Sequence, residues 1–338
     1  MNAPETRTPG SGDPVQIAVV GCGRMGQAHL ETASKEPCAR LVAVADVDEK
    51  TAGRAAEAYH APAFTDLAAM LASAKPDAVI VSTPPNSHRS ITEEALRAGA
   101  HVLCEKPFAL TVEDAQHMVD AAEAAKRQVM MASKFRYVSD LVKARAIVQA
   151  GILGDIILLE NEFCSHVDMR PRWNSKREIS GGGVLVDNGS HSVDIVRYLL
   201  GPIERLQALH GKQWQEIEVE DTCHISAQVS GGAMVSIDLS WSIHKESPWY
   251  VSVYGTSGML QLGWRGSRYR QSQKLDWVEF GTGYEQIKAV KAQLSNFLET
   301  ICGRAAPLIT PDAAVESVRA VEAAYRSAEQ NHWQQVSG

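Results

Sequence analysis

The sequence predicts two domains of the α/β plus α+β class: a doubly wound parallel sheet, then a domain built on a largely antiparallel open sheet. Three observations predict this. Short β-branched runs alternate with Ala-rich amphipathic stretches from residue 15 to 133, as in successive βαβ units. A glycine-rich turn separates the first strand from the first helix. Beyond residue 150, apolar residues recur at every second position, the period of strands with one buried face.

The elements of the first half follow this alternation. Five apolar runs are predicted strands: Gln16–Val20, Leu41–Ala45, Ala78–Ser82, His101–Cys104 and Val129–Ala132. Five amphipathic stretches are predicted helices: Met25–Lys35, Asp48–Tyr59, Asp66–Ala74, Arg89–Ala98 and Val112–Lys126. Several of these helices end near Gly or Pro, residues that stop helices.

The second half begins with a predicted helix and continues with strands. The helix is Leu141–Ala150, and the strands are Asp155–Phe163, Thr222–Val229, Ala233–Trp241 and Tyr250–Tyr254. Gly231 and Gly232 fall where a hairpin turn joins two strands. Thr310 and Pro311 suit a helix N-cap and first turn, so a closing helix is expected over about 312–330. The predicted division is a disordered tail over 1–14, a first domain over 15–135 and a second domain over 136–338.

Composition argues against several classes of protein. The net charge is −7 and the pI is near 5.9, so no overall basic surface for nucleic acid is expected. Residues 1–14 lack the apolar core of a signal peptide, and no apolar run reaches the length of about 18 residues that suggests a membrane span. The six cysteines form no C-x-x-C pair, which favours a reducing, cytoplasmic location and neither a metal site nor a disulfide framework.

The first strand runs into the spacing G-x-G-x-x-G and then into a helix. In this arrangement Gly21 allows the tight turn, Gly23 lets the backbone approach a pyrophosphate, and Gly26 lets the helix pack on the sheet. Arg24 and Met25 open the helix, whose N–H groups and dipole attract phosphate groups. The pattern therefore predicts a Rossmann domain that binds a dinucleotide.

Asp46 indicates which dinucleotide is bound. It follows the second strand, twenty residues past Gly26, where a carboxylate accepts hydrogen bonds from the adenosine ribose hydroxyls. Its charge would repel a 2′-phosphate, so NAD is favoured over NADP. Arg40 and Arg54 lie close in sequence and leave NADP as the less favoured alternative.

Two further polar segments follow strands of the predicted parallel sheet. The carboxyl ends of such strands are where open α/β sheets bind ligands, so we assign both segments to the cofactor. The first segment contributes Ser82, Thr83, Pro84, Asn86 and His88, and the second contributes Glu105 and Lys106.

The E-K-P motif at residues 105–107, with His88 introducing the preceding helix, resembles the Gfo/Idh/MocA family of oxidoreductases (glucose-fructose oxidoreductase, inositol dehydrogenase and relatives). A third match is the glycine run 181–183 leading to Asp187, His191 and Asp194, which looks like the D-x-x-x-H-x-x-D helix of this family. Offsets of four and seven put these three side chains on one helix face. The resemblance covers nearly all of residues 15–330. It implies that Lys106 and His191 are catalytic, with Asp187 as their partner.

These residue types suit the oxidation of a secondary alcohol. A histidine accepts the hydroxyl proton near neutral pH, and a lysine beside the oxygen stabilises the developing alkoxide. Asp187 would orient the imidazole or hold a neighbouring substrate hydroxyl. We therefore expect hydride transfer between NAD and a ring carbon of a sugar, a sugar derivative or a cyclitol. Asp194 has two interpretations, a member of this site or a structural anchor of its helix.

Residues of the second half are candidates for substrate binding. Lys134 and Arg136 follow the last strand of the parallel sheet, and Trp173 lies in a loop with four basic residues between 170 and 177. Trp173 would stack on a sugar ring, while the basic residues would meet the phosphate of a nucleotide sugar or the carboxylate of a sugar acid. The structural alternative is a solvated basic loop around a packed tryptophan. Asn188 is a further candidate for binding a hydroxyl.

Alternatives to simple dehydrogenation stay open from the sequence. One is redox-assisted glycosidic cleavage or elimination with tightly held NAD. Another, of a different class, is a regulatory sensor that binds NAD, and a substrate that is not a sugar is also compatible with the architecture. The resemblance further implies a homodimer or homotetramer that associates through the open face of the second sheet.

Overall fold

The computed structural model describes residues 13–274 and 276–336, so residues 1–12 of the expected N-terminal tail lie outside it. The chain forms two compact units. The first contains the described residues up to Ser133 together with Val290–Val315, and the second contains Lys134–Ala289 together with residues 316–336. The segment Val290–Val315 thus packs with the first unit, although the sequence analysis assigns it to the second domain. The functional bounds of the two domains stay predictions.

The first unit is built on a six-stranded sheet whose neighbouring strands are all parallel, in the order β3-β2-β1-β4-β5-β6. This is the predicted doubly wound arrangement. The strands are β1 (Val15–Val20), β2 (Ala39–Ala45), β3 (Ala63–Phe64), β4 (Ala78–Val81), β5 (His101–Glu105) and β6 (Val129–Ala132). Every residue of β4, β5 and β6 is buried, as expected for strands covered on both faces.

Helices connect these strands, and their starts follow from capping side chains. They are α1 (Arg24–Ser34), α2 (Glu49–Tyr59), α3 (Leu67–Ala74), α4 (His88–Arg97) and α5 (Val112–Ala125). Asp48, Asp66 and Thr111 each accept the backbone N–H three residues ahead and so satisfy one of the unpaired donors of a helix start. Gly23, at the N-cap of α1, makes no side-chain cap hydrogen bond, in contrast to these three residues.

The second unit is built on a nine-stranded sheet in the order β14-β13-β12-β11-β7-β10-β9-β8-β15. Among the strand pairs that the described residues form in this sheet, only β7 and β10 are parallel, so the predicted largely antiparallel sheet is confirmed. Gly231 and Gly232 both have φ near +90° in the turn between β9 and β10, as predicted. The strands are β7 (Ile156–Cys164), β8 (Ile203–His210), β9 (Thr222–Val229), β10 (Met234–Ser240), β11 (Trp249–Gly255), β12 (Gly258–Gly263), β13 (Ser267–Gln271), β14 (Val278–Gly281) and β15 (Gln334–Gln335).

The remaining helices are α6 (Ser139–Gln149), α7 (Arg177–Ser180), α8 (Ser190–Leu200), α9 (Gln286–Ile301) and α10 (Pro311–Gln330). Thr310 caps α10 through a 3.2 Å bond from Ala313 N, as the sequence predicts. The segment that carries Asp187 differs from the prediction. Leu185–Gly189 forms a π-helical turn before α8 begins, so α-helical offsets do not describe the step from Asp187 to His191. In the described part of the chain, no helix combines the length and apolar character needed to cross a membrane.

Candidate functional site

The glycine-rich turn after β1 is shaped by close backbone contacts. Gly21 has φ of +87°, and a Cβ there would lie 2.6 Å from the carbonyl carbon of Ser82. A Cβ on Gly26 would collide with the carbonyl oxygen of Gly21. A Cβ on Gly23, in contrast, would meet no atom within 4 Å. Two glycines therefore permit internal packing, and the third leaves an open approach to the backbone at the start of α1.

Asp46 lies at the end of β2 and supports this turn. Its carboxylate accepts the backbone N–H of Cys22 at 2.8 Å and that of Asp48 at 3.0 Å. Burial, together with the nearby charge of Asp46, raises the pKa of the Cys22 thiol to about 12, so the thiol stays neutral. Asp46 remains partly accessible, which leaves lone pairs for ribose hydroxyls.

These features fit a bound NAD. The open approach at Gly23 suits a pyrophosphate, and the N-terminus of α1, with exposed Arg24 and half-buried Met25, is the positive end of a helix dipole that attracts phosphate. In a fingerprint of this kind a carboxylate at the end of the second strand meets the adenosine ribose and disfavours a 2′-phosphate. The predicted cofactor residues of this turn therefore share one end of the parallel sheet.

The loop after β4 lies beside the glycine turn. Ser82 Oγ donates to the carbonyl of Gly21 at 2.7 Å, and Thr83 and Pro84 are half-buried, while Asn86 is exposed. These positions follow the carboxyl ends of neighbouring strands, as the sequence analysis expects. Direct contacts of these side chains with the cofactor stay predictions.

His88 connects the loop after β4 to the loop after β5. Its ring is fully buried, with Nε2 2.9 Å from the carbonyl oxygen of Thr83 and Nδ1 2.9 Å from that of Pro107. Burial lowers the pKa of His88, although both carbonyl oxygens favour the protonated ring. His88 thus supports the segment that follows Lys106, and its predicted contribution to cofactor binding stays a prediction.

A second buried histidine, which the sequence analysis did not single out, supports the other side of Lys106. His29 on α1 places Nε2 2.8 Å from Oε1 of Glu105, and both side chains are almost fully buried. The other carboxylate oxygen of Glu105 accepts the backbone N–H of Lys106 at 3.2 Å. A polar residue on the buried face of α1, three positions past Gly26, was the available signal. Glu105, predicted as a cofactor residue, therefore also joins α1 to Lys106.

In the second unit, Glu220 holds the segment that leads to Asp187. Its Oε1 accepts the N–H groups of Gly183 at 2.9 Å and Leu185 at 3.1 Å, and also the hydroxyl of Tyr325 at 2.6 Å. Burial, followed by the charge of Glu220, raises the pKa of Tyr325 well above its usual value, so the phenol keeps the proton it donates. These two residues, which the sequence analysis missed, fix the start of the π-helical turn.

The glycines before Asp187 leave the space that Tyr325 and Glu220 occupy. A Cβ on Gly182 would collide with the Tyr325 hydroxyl, and a Cβ on Gly183 would collide with the backbone carbonyl of Glu220. The next polar residues are partly accessible: Asp187 is half-buried, and so is Asn188, whose amide donates to the carbonyl of Phe163 at 3.3 Å. The turn therefore presents Asp187 and Asn188 from a rigid base.

His191 lies one turn further along, on α8, and is about 7% exposed. Its ring packs edge-on against Phe135 at a centroid distance of 4.9 Å and against Phe163 at 6.5 Å. The imidazole is therefore positioned by aromatic rings from two other elements. The candidate base and its partner Asp187 leave the same short segment of the second unit.

Asp194 is engaged in a buried ion pair. Arg136 donates to both of its carboxylate oxygens, with Nη2 2.6 Å from Oδ1, and Ser317 adds a bond of 3.2 Å. The two charged side chains are 8% and 1% exposed. This geometry matches the interpretation of Asp194 as an anchor of its helix. Arg136 supplies the other half of that anchor, and its predicted contact with substrate stays a prediction.

The basic loop lies on the surface of the second unit. Trp173 is 42% exposed, and Arg170 pairs with Asp168 at 2.8 Å. The hydrogen bonds from Arg170 lower the pKa of Asp168 to about 2, so this pair stays charged at neutral pH. Arg177 donates its backbone N–H to Glu218 at 3.0 Å. The Arg170 side chain is thus engaged with an acidic partner, whereas Arg177 bonds Glu218 through its backbone.

Within residues 13–274 and 276–336, no group of three or more His, Cys, Asp or Glu side chains is arranged to hold a metal ion.

Comparisons with known proteins match both units. A family model described as an oxidoreductase family with an NAD-binding Rossmann fold matches residues 15–133, and a model of the Gfo/Idh/MocA C-terminal domain matches residues 141–261. The rhizopine catabolism protein MocA of Rhizobium meliloti is 27% identical over 317 residues, which cover 91% of this chain and 93% of that relative.

One further relative has a name that bears on the chemistry, and one solved structure contains a ligand that does so. D-glucoside 3-dehydrogenase of Escherichia coli (strain K12) is 32% identical over 214 residues, which cover 62% of this chain and 60% of that relative. The crystal structure of GenD2 from gentamicin A biosynthesis in complex with NAD has a TM-score of 0.86 and 27% identity, and the match covers 97% of this chain and 99% of that one.

Proposed function

The chain belongs to the Gfo/Idh/MocA family of oxidoreductases, and from this premise we propose that it is an NAD-dependent dehydrogenase or reductase acting on CH–OH groups. Its substrate is a sugar, a sugar derivative or a cyclitol, which it oxidises or reduces at a ring carbon. The observation that carries the proposal is that one chain holds both a dinucleotide turn, open at Gly23 and supported by Asp46, and a rigidly supported segment with Asp187 and His191.

The cofactor residues supply binding and orientation. Gly21, Gly23 and Gly26 shape the turn for the pyrophosphate, and Asp46 accepts the ribose hydroxyls, which favours NAD over NADP. A bound NAD would supply the redox chemistry, as hydride acceptor for the alcohol or, in its reduced form, as hydride donor for the carbonyl. The loops after β4 and β5 complete this side, with Lys106 held between the supports His29–Glu105 and His88–Pro107.

Three side chains supply the acid–base and electrostatic chemistry. His191 takes the proton of the substrate hydroxyl as the alcohol becomes a carbonyl, and returns it in the reverse reaction. The Lys106 ammonium stabilises the negative charge that develops on that oxygen. Asp187 orients the imidazole or holds an adjacent substrate hydroxyl. The balance of the oxidation is one hydride to NAD and one proton to the protein.

The substrate class is supported by similarity and by polar groups of the second unit. One relative is a D-glucoside 3-dehydrogenase, an enzyme of sugar oxidation. Asn188 is available for a substrate hydroxyl, and Trp173 and Arg136 stay predicted substrate contacts. A cytoplasmic location and a homodimer or homotetramer also stay predictions.

The test is the absorbance of NADH, followed with purified protein and NAD against cyclitols, aldoses, glycosides, sugar acids and nucleotide sugars. A rise that depends on one substrate class supports the proposal. Bound NAD without a change in absorbance, accompanied by release of a leaving group from a glycoside, would replace it with redox-assisted cleavage. NAD binding with neither outcome for any class would favour a sensor.

A further inference from the structure

Five aromatic side chains of the second unit form one connected surface, which we call the aromatic wall: Phe135, Phe163, Tyr250, Trp264 and Tyr284. Tyr250 lies at its centre, with centroids 4.8 Å from Trp264, 5.7 Å from Phe135 and 6.0 Å from Phe163. Tyr284 stacks on Phe135 at 5.1 Å and meets Trp264 edge-on at 5.7 Å. The rings come from five separate segments of the unit, so the wall is a product of its tertiary structure.

The wall is buried at one end and accessible at the other. Tyr250, Phe135 and Phe163 are 0%, 4% and 8% exposed, whereas Trp264 is 40% exposed and Tyr284 is partly accessible. Trp264 follows β12, and its carbonyl oxygen accepts the N–H of Tyr284 at 3.2 Å, which ties the two accessible rings together. Trp264 is backed by three rings, Phe163, Tyr250 and Tyr284, and such an accessible tryptophan is a rigid apolar platform.

His191 lies against the buried end of this wall. Phe135 contacts both the imidazole, at 4.9 Å, and Tyr284, at 5.1 Å, so it connects the proposed base to the accessible rings. Phe163 makes a parallel connection, 6.5 Å from His191 and 6.0 Å from Trp264. A molecule whose hydroxyl reaches His191 therefore lies within one or two ring diameters of the accessible rings, and its carbon atoms can pack against them.

Two arginines of the second unit that could hold an anionic substrate are already paired with aspartates. Arg136, adjacent to Phe135, is bound in the buried pair with Asp194, and Arg170 of the basic loop is paired with Asp168. Lys134 lies with Nζ 5.9 Å from the Tyr284 ring, at the accessible rim of the wall. A bidentate contact with a carboxylate or phosphate needs a pair of available guanidinium donors, and in both arginines the Nε–Nη2 edge is committed to an aspartate.

We propose that the aromatic wall is the substrate subsite of the second unit and that it selects a neutral ring, whose apolar C–H face packs on Trp264 and Tyr284. A neutral pyranoside or cyclitol has such a face, and its hydroxyls remain at the rim of the ring for Asn188 and Asp187. Sugar acids, sugar phosphates and nucleotide sugars are disfavoured substrates. This inference rests on the proposed dehydrogenase function and assigns its substrate class.

The first experiment compares matched substrates with wild-type enzyme and NAD: a neutral pyranoside, the corresponding uronic acid, the corresponding sugar phosphate and a nucleotide sugar, with an inositol beside them. We expect kcat/KM for the best neutral ring to exceed that for every anionic counterpart by at least about tenfold. Higher kcat/KM for any anionic substrate overturns the inference and leaves the proposed function standing. Absence of turnover with all substrates contradicts the proposed function itself.

The second experiment tests the wall directly with Trp264→Leu and the conservative Trp264→Phe. Trp264→Leu should raise KM for the neutral substrate about tenfold with kcat changed less than threefold, and Trp264→Phe should recover most of the loss because a ring face remains. NAD affinity, measured by fluorescence titration, should not change in either variant. Unchanged KM in Trp264→Leu, with a normal melting temperature, overturns the inference.

Trp333→Leu is the matched control. Trp333 is 43% exposed, packs against Arg205, and lies next to β15 at the far edge of the nine-stranded sheet. Its replacement removes a tryptophan of similar exposure from the same unit and should leave KM unchanged.

Discussion

The dinucleotide turn and the segment around Asp187 are both rigid, but different contacts hold them. In the turn, backbone packs directly on backbone: Gly21 lies against Ser82, and Gly26 lies against the carbonyl of Gly21. The Asp187 segment is held by side chains from distant parts of the chain, since Glu220 is 37 residues from Gly183 and Tyr325 is 105 residues from Glu220. The first arrangement depends on the absence of side chains, the second on their presence.

This difference teaches where each region tolerates change. Any added atom at a packed glycine disturbs the turn, whereas the Asp187 segment should respond gradually as individual hydrogen bonds are removed. The proposed function also predicts separate readouts: variants in the turn should change NAD binding, and variants in the Asp187 segment should change kcat.

The variants with the largest expected effects test whether catalysis can be lost while NAD binding is kept. His191→Ala and Lys106→Ala should each lower kcat by about 10²–10⁴-fold, the usual contribution of a positioned acid–base group, while NAD still binds. Stopped-flow or steady-state kinetics measure the loss, and fluorescence titration measures NAD affinity. Full activity in either variant would remove that residue from the mechanism, and loss of NAD binding in His191→Ala would break the separation of the two regions.

A pair of glycine variants tests how the turn is built. Gly26→Ala adds a Cβ that collides with Gly21, so we expect a loss of about 3 kcal/mol in unfolding free energy and little NAD binding. Gly23→Ala adds a Cβ into open space and should fold nearly normally, yet bind NAD at least about tenfold more weakly. Urea denaturation and NAD titration of both variants provide the comparison. Equal unfolding free energies of Gly26→Ala and Gly23→Ala would contradict the close packing assigned to Gly26.

Acid should weaken the first unit through its buried histidines. Burial, and then the charge of Arg127, lower the pKa of His101 to about 4, and His101 Nδ1 accepts the N–H of Gln128 at 2.9 Å. Because the folded-state pKa is below the unfolded value of about 6.5, the unfolded chain binds more protons between these values, and stability falls as pH decreases through this window. Lowering the pH from 7 to 5 should remove about 2 kcal/mol through this group.

The control for this prediction is His101→Asn, whose amide oxygen can replace Nδ1 as acceptor but does not titrate. Urea midpoints of wild type and variant at pH 7 and 5 should show a smaller pH dependence in the variant. Identical pH dependence in both proteins would exclude His101 as the cause. His88, whose pKa is also lowered by burial, is expected to act in the same direction.

The smallest effect is expected from Tyr325→Phe, which keeps the ring beside Gly182 and removes one hydrogen bond to Glu220. We expect a stability loss of about 1 kcal/mol and a several-fold lower kcat with unchanged NAD affinity. Tyr254→Phe is a matched control, since Tyr254 also donates to a glutamate, Glu160, at 2.9 Å, but on β11. A kcat that falls equally in both variants would mean that Tyr325 has no specific link to the Asp187 segment.

The sequence by itself determined the parts that depend on neighbouring residues. The alternation of apolar runs and helices predicted the parallel sheet, and period two predicted the antiparallel one, because burial of one or both faces leaves a periodic record in the chain. The spacing around Gly21 and the residue Asp46 predicted NAD, because the residues of this turn lie close together in the chain. Short or edge elements such as β3 and β15, and the strands from β12 to β14, left no pattern strong enough to be predicted.

Only the tertiary structure decided how the second region is supported and what surrounds it. Glu220, Tyr325 and the aromatic wall meet because the strand order and the packing of α10 bring distant segments together, and no local spacing encodes that meeting. The π-helical turn before α8 likewise replaces the regular helix that the motif suggested. Local periodicity specifies which face of an element is buried, whereas the partner that buries it depends on the whole fold.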